Sequence, residues 1–270
     1  MALTGRLSAA VLFMVIIASL FSPLLAPYDP DAIDLDSIKE PPSSRHIMGT
    51  DNKGRDIFSR ILHGGRISVF VSLTAAFVCM TIGLGVGLVS GYIGGKTDIF
   101  LMAVVDLILS FPSFLLAIGI SVILSPGVYT VIIAISAVGW ASFARVIRGN
   151  VFMLRESLFV EAARALGCSR ARILLMHILP QCIPLTLVMA GLKTGGFILT
   201  EAGLSFLGLG SQPPSATWGS MISSSRIFIS SAPWTVLFPG IMISVTAICF
   251  NLLGDSLRDK LDSSGTSLSH

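Results

Sequence analysis

The stretch LILSFPSFLLAIGISVILSPGVYTVIIAISAVGWASFA, Leu107–Ala144, contains no charged residue. A helix needs roughly 20 mostly apolar residues to cross a hydrocarbon core of about 30 Å, so this stretch is long enough for two helices. Ser125-Pro126-Gly127 interrupts it with residues typical of a turn. We therefore predict a hairpin of two membrane spans, near Ile99–Leu124 and near Val128–Ala144.

Four further apolar runs flank this hairpin, and the composition agrees with a membrane protein. Of the 270 residues, 53% are hydrophobic and 12% are charged, which leaves too little polar surface to cover a soluble globule. We predict an all-α membrane protein with about six transmembrane helices, the other four near Leu7–Leu25, within Ile67–Ile93, near Ile183–Phe206 and near Trp234–Leu253.

Glycines and tryptophans add detail to two regions of this plan. The second span is rich in small residues that favour close packing against a neighbouring helix, namely Gly83, Gly85, Gly87 and Gly91. Trp218 and Trp234 flank the loop between the fifth and sixth spans. We predict that both tryptophans lie at the membrane interface.

Positive charges favour one orientation of the six spans, which place both termini on the same side. On that side lie ten basic residues, Arg6, Lys96, Arg145, Arg148, Arg155, Arg164, Arg170, Arg172, Arg258 and Lys260. On the other side lie seven, Lys39, Arg45, Lys53, Arg55, Arg60, Arg66 and Arg226. Because basic residues concentrate in cytoplasmic loops, the count modestly favours cytoplasmic termini.

The spans divide the chain into four parts: an N-terminal transmembrane anchor over 1–26, an outer loop over 27–66, a core transmembrane domain over 67–256 and a tail over 257–270. The apolar run of the anchor closes with Leu25-Ala26-Pro27 rather than with a small-x-small cleavage site, which predicts an uncleaved anchor. The outer loop contains three prolines and a run of acids, so we expect little regular structure at its start.

The cysteines and histidines give no sign of a disulfide framework or a metal site. The cysteines lack C-x-x-C spacing, and we expect most of them to pack as small hydrophobes: Cys79, Cys168, Cys182 and Cys249. The histidines are far apart, and we expect surface or interfacial imidazoles: His46, His63, His177 and His270. No basic stripe indicates nucleic-acid binding.

A polar insertion over about 145–180 separates the fourth and fifth spans. Within it, an apolar stripe recurs at i, i+3, i+4 and i+7, formed by Phe159, Ala162, Ala163 and Leu166. Such a short amphipathic helix cannot span a bilayer and must dock on something. Gly167 suits the left-handed position after this helix, and Ser169 can cap a second helix. The insertion is therefore a helix–turn–helix, either a simple connection or a docking lever.

The string Glu161-Ala162-Ala163 followed by Gly167, and then Leu179-Pro180, resembles the EAA loop of binding-protein-dependent ABC importer permeases. In that family the loop is a coupling helix that inserts in a groove of the ATPase. The resemblance implies that the coupling residues are Phe159, Glu161, Ala162, Ala163, Arg164, Leu166 and Gly167. Glu161 and its neighbouring arginines would fix the register through charge-assisted hydrogen bonds.

Further motifs resemble one branch of that family, the second permease of dipeptide, oligopeptide and nickel importers. They run nearly end to end: Gly49-Thr50-Asp51, Gly54-Arg55-Asp56, Ser59-Arg60, the Gly91–Gly95 segment, the Glu201–Gly210 segment, Gln212-Pro213-Pro214, Trp218-Gly219 and Asn251–Asp255 with Leu257-Arg258-Asp259. The resemblance implies a type I importer permease fold in the bacterial inner membrane. It places the EAA loop in the cytoplasm and the loops around Asp51 and Trp218 outside.

The same resemblance implies the partners of this chain and which of them binds ATP. They are a second homologous permease, two ABC ATPase subunits that bind ATP and Mg, an extracytoplasmic substrate-binding protein and the lipid bilayer. This chain would hold no cofactor and catalyse no reaction. We rank di- or oligopeptides first as cargo and nickel second, because both groups of importers share these motifs.

Three rival functions are weaker. Ser90 to Thr97 nearly spells a phosphate-binding loop, but it lacks the first glycine and separates two spans rather than following a strand. A secondary transporter would need inverted repeats and converging intramembrane carboxylates, and neither is visible. A purely structural anchor would not explain the docking helix.

Charges inside spans are costly and mark candidate functional residues. Asp106 and Lys193 lie roughly 10 and 15 Å from the cytoplasmic ends of the third and fifth spans, so we expect them to approach each other or to line one wet pathway. The alternative is that each pairs with the sister permease or snorkels to an interface. Glu201, near the outer end, is a third candidate, with a simple interfacial position as its alternative.

Overall fold

The computed structural model describes the backbone of residues 3–266 and the side chains of residues 4–260. Regular structure in this part is helical, apart from an isolated bridge between Thr50 and Asp56. The helices are α1 Leu3–Leu20, α2 Ser22–Leu25, α3 Ile57–Ile93, α4 Gly95–Leu109, α5 Ser113–Ile123, α6 Val128–Arg155, α7 Leu158–Ala165, α8 Arg170–Ile173, α9 Leu179–Phe206, α10 Trp218–Ser225 and α11 Trp234–Thr266. A π-helical turn, Leu174–Ile178, joins α8 to α9, and short 3-10 turns lie at Leu35–Ser37 and Arg226–Phe228.

The all-α membrane fold is confirmed, and each of the six predicted spans is helical. Four helical runs are long and apolar enough to cross a membrane: α3, α6, the run Arg170–Phe206 and the run Trp234–Lys260. The α4 and α5 pair adds a fifth span if the two are counted together, and the shorter apolar helix Thr4–Leu20 corresponds to the predicted first span.

The region of the predicted third span is two helices, because α4 and α5 meet at an angle of 88°. The break falls at residues 110–112. Pro112 has no backbone N–H and disfavours helical geometry for the residue before it, so the helix cannot continue through this point. The Ser110 hydroxyl donates to the Leu107 carbonyl at 2.7 Å and closes the end of α4.

Four helices extend well beyond the predicted bounds of their spans, and one of them is α11, which continues past Leu253 to Thr266. The second span begins at Ile57 rather than Ile67, the fourth continues past Ala144 to Arg155, and the fifth starts with Arg170 rather than Ile183. The length of an apolar run measures only the part of a helix inside the hydrocarbon, so polar residues that continue the helix escape it. Asp56 fixes the start of α3, where its carboxylate accepts the Ser59 N–H at 2.8 Å.

Close packing of α3 on α6 organises the bundle. A Cβ on Gly87 would lie 2.8 Å from the Ile147 Cβ, and a Cβ on Gly91 would lie 2.8 Å from the Val151 Cβ. Gly83, one turn before Gly87 on α3, faces α6 in the same way. The predicted close approach is therefore confirmed for three glycines at four-residue spacing, whereas Gly85 points away, with nothing within 4 Å.

Two further groups of contacts complete the bundle. α9 joins α3 and α6 in a core that includes Cys79, Phe143 and Phe197. α1 packs on α3 and α11, where Leu12 is buried. Cys79, Cys182 and Cys249 are buried in these cores, as expected for small hydrophobes. The predicted tail over 257–270 is a continuation of α11 as far as Thr266, and its last four residues lie outside the described part.

Replacing Gly87 with Ala should lower the free energy of unfolding by about 1–3 kcal/mol, because the new methyl group has no room between the helices. Gly85→Ala is the matched control on the same helix and should leave stability unchanged or slightly higher. Thermal unfolding of the purified chain, followed by tryptophan fluorescence, measures both effects. Equal midpoints for the two variants would contradict the packing described above.

Candidate functional site

The polar insertion folds as the predicted helix–turn–helix. Gly167 follows α7 with a φ of +79°, the left-handed conformation that glycine adopts without strain. The Ser169 hydroxyl accepts the N–H of Arg172 at 3.3 Å and so caps α8, as predicted. α8 then continues through the π-helical turn into α9. The hairpin formed by α7 and α8 is thus joined to a span by continuous helix.

The hairpin is seated on the ends of α3 and α6. Val160 and Ala163, one turn apart on α7, are 0% and 7% exposed. They pack in a cluster with Tyr92 of α3, Val151 of α6 and Ile173 of α8. An apolar contact of this kind fixes the hairpin against the two helices that the glycines hold together.

This seating corrects the predicted stripe. Phe159, Ala162 and Leu166 are exposed, at 43% for Phe159 and 84% for Leu166, but Ala163 faces the interior of the protein. α7 therefore has two apolar faces, one buried and one free. In the sequence, the buried face could have been recognised from Val160, which is apolar and lies three residues before Ala163. Val160 is not part of the stripe that the i, i+3, i+4 pattern selects.

The other residues that the resemblance assigns to ATPase coupling are on the surface. Glu161, Arg164 and Gly167 are exposed. Arg164 donates to the carbonyl of Arg155 at 3.4 Å. Within residues 4–260, Glu161 has no ion-pair partner within 4 Å. The exposed face thus combines apolar side chains with a free carboxylate, a composition suited to a protein partner.

Two ion pairs cross from α4 to α6. Arg148 binds Asp98 through two parallel bonds of 2.6 Å, and the Ser90 hydroxyl donates to the same carboxylate. One helical turn before Arg148, Arg145 pairs with Asp106. Asp106 therefore pairs with Arg145 and not with Lys193, because α6 extends far enough to bring its arginines beside α4.

Lys193 is exposed on α9, and no carboxylate of residues 4–260 lies within 4 Å of it. The Asp106 and Arg145 side chains are 66% and 50% exposed, so this pair is also accessible. The proposed direct approach of Asp106 to Lys193 is thus not seen, and a shared pathway remains a hypothesis.

Glu201, the third candidate, lies inside the protein. It is 1% exposed, and its Oε1 accepts the Ser205 hydroxyl at 2.7 Å. Its Oε2 is buried and has no hydrogen-bond partner among the described residues. The bond to Ser205 lies within α9, at the end of the bundle opposite α7.

Trp218 belongs to this buried region as well. It is 0% exposed, and its Nε1 donates to the Ile61 carbonyl at 3.0 Å. The indole N–H thus finds its partner inside the protein, and the position of Trp218 at the membrane interface stays a prediction. Trp234 is half-buried and donates to the Thr50 carbonyl at 3.2 Å, which ties α11 to the loop before α3.

The loop between α2 and α3 is held by buried ion pairs. Arg55 Nε and Asp51 Oδ2 lie 2.7 Å apart, and Arg60 Nε approaches the same oxygen to 3.8 Å. Arg60 also binds Asp31 at 3.0 Å. The residues of the Gly-Thr-Asp and Gly-Arg-Asp motifs thus fold the loop rather than project from it.

His46 is part of the same loop and is not at the surface as predicted. It is 4% exposed, its Nδ1 lies 3.0 Å from Asp56 Oδ1, and its ring packs against the ring of Tyr28.

Nearer the loop surface, hydrogen bonds from Ser37 and from the N–H of Asp36 lower the pKa of the Asp34 carboxyl.

The structure offers little for a metal or a nucleotide. The described residues contain no cluster of three or more His, Cys, Asp or Glu side chains suited to a metal ion. The segment from Ser90 to Thr97 forms the end of α3 and the start of α4, a helix-to-helix turn and not a strand-to-helix loop. The fold and the site define a multi-pass membrane protein with a short helical hairpin at one end and a folded loop at the other.

The chain belongs to the family described as binding-protein-dependent transport system inner membrane component, which matches residues 83–264. A second family, the N-terminal TM domain of oligopeptide transport permease C, matches residues 4–42. The chain is thus a permease subunit of an ABC importer, a transport component.

Relatives cover most of the chain. It is 44% identical to the dipeptide transport system permease protein DppC of Alkalihalophilus pseudofirmus, over 92% of this chain and 81% of that protein. It is 39% identical to the probable D,D-dipeptide transport system permease protein DdpC of Escherichia coli, over 94% and 86%. It is 41% identical to the glutathione transport system permease protein GsiD of Pectobacterium atrosepticum, over 94% and 85%.

A solved structure has the same fold. A chain of the MetNI methionine ABC transporter, in an inward-facing conformation, superposes with a TM-score of 0.60 at 18% identity, over 73% of this chain and 94% of that one. The predicted type I importer permease fold is therefore confirmed.

Asp51→Asn should open the loop before α3, because Arg55 and Arg60 would lose the carboxylate between them. Charge-assisted hydrogen bonds contribute about 1.5–3 kcal/mol each, so cleavage of the loop by protease should accelerate by about tenfold or more. Asp36→Asn, on an exposed residue of the same loop, is the control and should not change the rate. Limited proteolysis in membranes measures both; identical rates would contradict the network.

Proposed function

We propose that this chain forms half of the translocation pathway of an importer for di- or oligopeptides, paired with a second homologous permease. Two ABC ATPase subunits would bind the end that carries α7, and a substrate-binding protein would deliver cargo to the opposite end. The observation that carries the proposal is the exposed apolar face of α7, seated through Val160 and Ala163 on the ends of two spans.

The geometry suits transmission of force. A partner that moves α7 must also move α3 and α6, because the buried face of α7 packs on both. α8 continues into α9, so the same movement reaches a third span. Binding that favours one arrangement of these spans shifts the equilibrium between inward-open and outward-open states.

The orientation follows from the docking helix and from the count of basic residues. ATP is hydrolysed in the cytoplasm, so the end with α7 faces the cytoplasm in this proposal, together with both termini. The folded loop that contains Asp51 then lies outside, where its rigid backbone offers a fixed surface to a binding protein. The membrane is the bacterial inner membrane.

Peptide cargo is proposed from the relatives, which are named for dipeptides, D,D-dipeptides and glutathione. These compounds share peptide bonds and charged ends. Asp106, Arg145 and Lys193 are accessible charges on α4, α6 and α9. We propose that they line the pathway, where they would interact with a zwitterionic cargo. Glu201 is 1% exposed and is not one of these accessible charges.

Ala162→Glu should remove the ATPase subunits from the purified complex and leave the chain folded, because Ala162 is exposed on the free face of α7. Ala163→Glu should instead unfold the hairpin, since it buries a carboxylate without a partner. Gln181→Glu adds the same charge at an exposed position of α9 and is the control. Quantitative mass spectrometry of the tagged chain measures ATPase recovery; full recovery with Ala162→Glu would contradict the docking face.

Cells that lack this chain should lose uptake of a labelled dipeptide and keep uptake of nickel. Restoring the chain as Lys193→Met should rescue assembly but only a small part of the uptake, on the order of one tenth, because a pathway charge is missing. Lys96→Met, at an exposed position beyond the pathway, should restore uptake fully. Loss of nickel uptake alone would overturn the choice of cargo.

A further inference from the structure

Three arginines line one cavity of about 750 Å³ beside the coupling hairpin. Arg155 comes from the end of α6, Arg164 from α7 and Arg170 from the start of α8. One acid, Glu156, shares the cavity, and it pairs with Arg155 at 3.0 Å. Three cations against one anion leave an excess positive charge in a recess of the protein.

The arginines are only partly engaged by the protein. Arg155 is held in place by the Tyr92 carbonyl at 3.5 Å and by the ring of Phe152, 4.6 Å away. Arg164 has a single long bond, 3.4 Å, to a carbonyl. Within residues 4–260, Arg170 forms no ion pair. Several guanidinium N–H donors are therefore free to bind a ligand.

The rest of the lining is apolar. Ile93 at the end of α3 and the Ile173 and Leu174 side chains form the other wall of the cavity. Ile93 is 58% exposed, so an apolar surface leads from the cavity to the outside of the bundle. A ligand that fits both walls has a negatively charged group of several oxygens and, beside it, an apolar part.

We propose that this cavity is a binding site for a phosphate group, carried by an anionic phospholipid of the cytoplasmic leaflet or by a free solute. Guanidinium groups bind phosphate oxygens through paired, charge-assisted hydrogen bonds, and their mutual repulsion falls when an anion lies between them. Basic pockets between spans on the cytoplasmic side suit lipid headgroups. The bound phosphate would connect α6 to the hairpin and set how firmly the coupling helix is held.

The site rests on the proposed orientation, but its test does not require transport. Cys168 lines the cavity and is half-buried, whereas the other three cysteines are buried. Alkylation of Cys168 by a maleimide, quantified by peptide mass spectrometry, therefore reports occupancy. The intact complex, extracted from its native membrane, is placed in nanodiscs of phosphatidylcholine, with or without phosphatidylglycerol or inorganic phosphate at constant ionic strength. The same series is repeated after the ATPase subunits have been stripped from the complex.

Phosphatidylglycerol should slow the alkylation of Cys168 in the wild type. Arg170→Gln should weaken this protection by about tenfold in the concentration needed, the loss expected for one charge-assisted bond. Arg172→Gln is the matched control, because Arg172 lies on the same short helix and does not line the cavity. Protection by inorganic phosphate as well, with the same dependence on Arg170, identifies a free phosphate as a ligand.

Three results would overturn the proposal. The first is alkylation that neither anion changes. The second is equal loss of protection in Arg170→Gln and Arg172→Gln, which would indicate general charge attraction. The third is protection that appears only when the ATPase subunits are bound, whatever the lipid, since a protein carboxylate would then occupy the cavity. Failure of uptake or of ATPase recovery, by contrast, bears on the proposed function alone.

Discussion

The close approach of α3 to α6 is the contact on which the rest of the protein depends. Lipid chains are as apolar as leucine, so helices in a bilayer gain little from burying apolar surface and associate through tight packing. Gly83, Gly87 and Gly91 present a flat face to α6 over two full turns. Any side chain there would separate the helices. The ends of α3 and α6 then form the seat that the hairpin needs.

That seat holds the hairpin in the position that the proposed coupling to an ATPase requires. A two-turn helix is too short to be stable alone and takes its order from the surface on which it packs. Val160 and Ala163 supply that contact, which leaves the opposite face of α7 for a partner. At the other end, Trp218 ties α10 to α3 through the Ile61 carbonyl, and Ser223 of α10 donates to the Phe206 carbonyl at the end of α9. Both ends are therefore fixed to the same spans, so a displacement at one end changes the geometry of the other.

The sequence alone reveals those features that follow from local rules. The lengths of the apolar runs predict the spans. The ability of glycine to adopt a left-handed conformation predicts the turn at Gly167. It does not show which face of α7 is buried, because Val160 and Leu166 are equally apolar and only the seat distinguishes them. Likewise Trp218 finds its hydrogen-bond partner 157 residues away along the chain, and the partner of Asp106 depends on how far α6 extends.

The central claim is that the free face of α7 meets an ATPase while its other face stays inside the permease. Photo-crosslinking in native membranes tests it directly, with a benzophenone amino acid at Leu166, which is 84% exposed, or at Leu24, which is 80% exposed at the opposite end. We predict a crosslink from Leu166, and none from Leu24, to a subunit that binds ATP. Equal yields from both positions, or a crosslink from neither in a complex that retains its ATPases, would contradict the account.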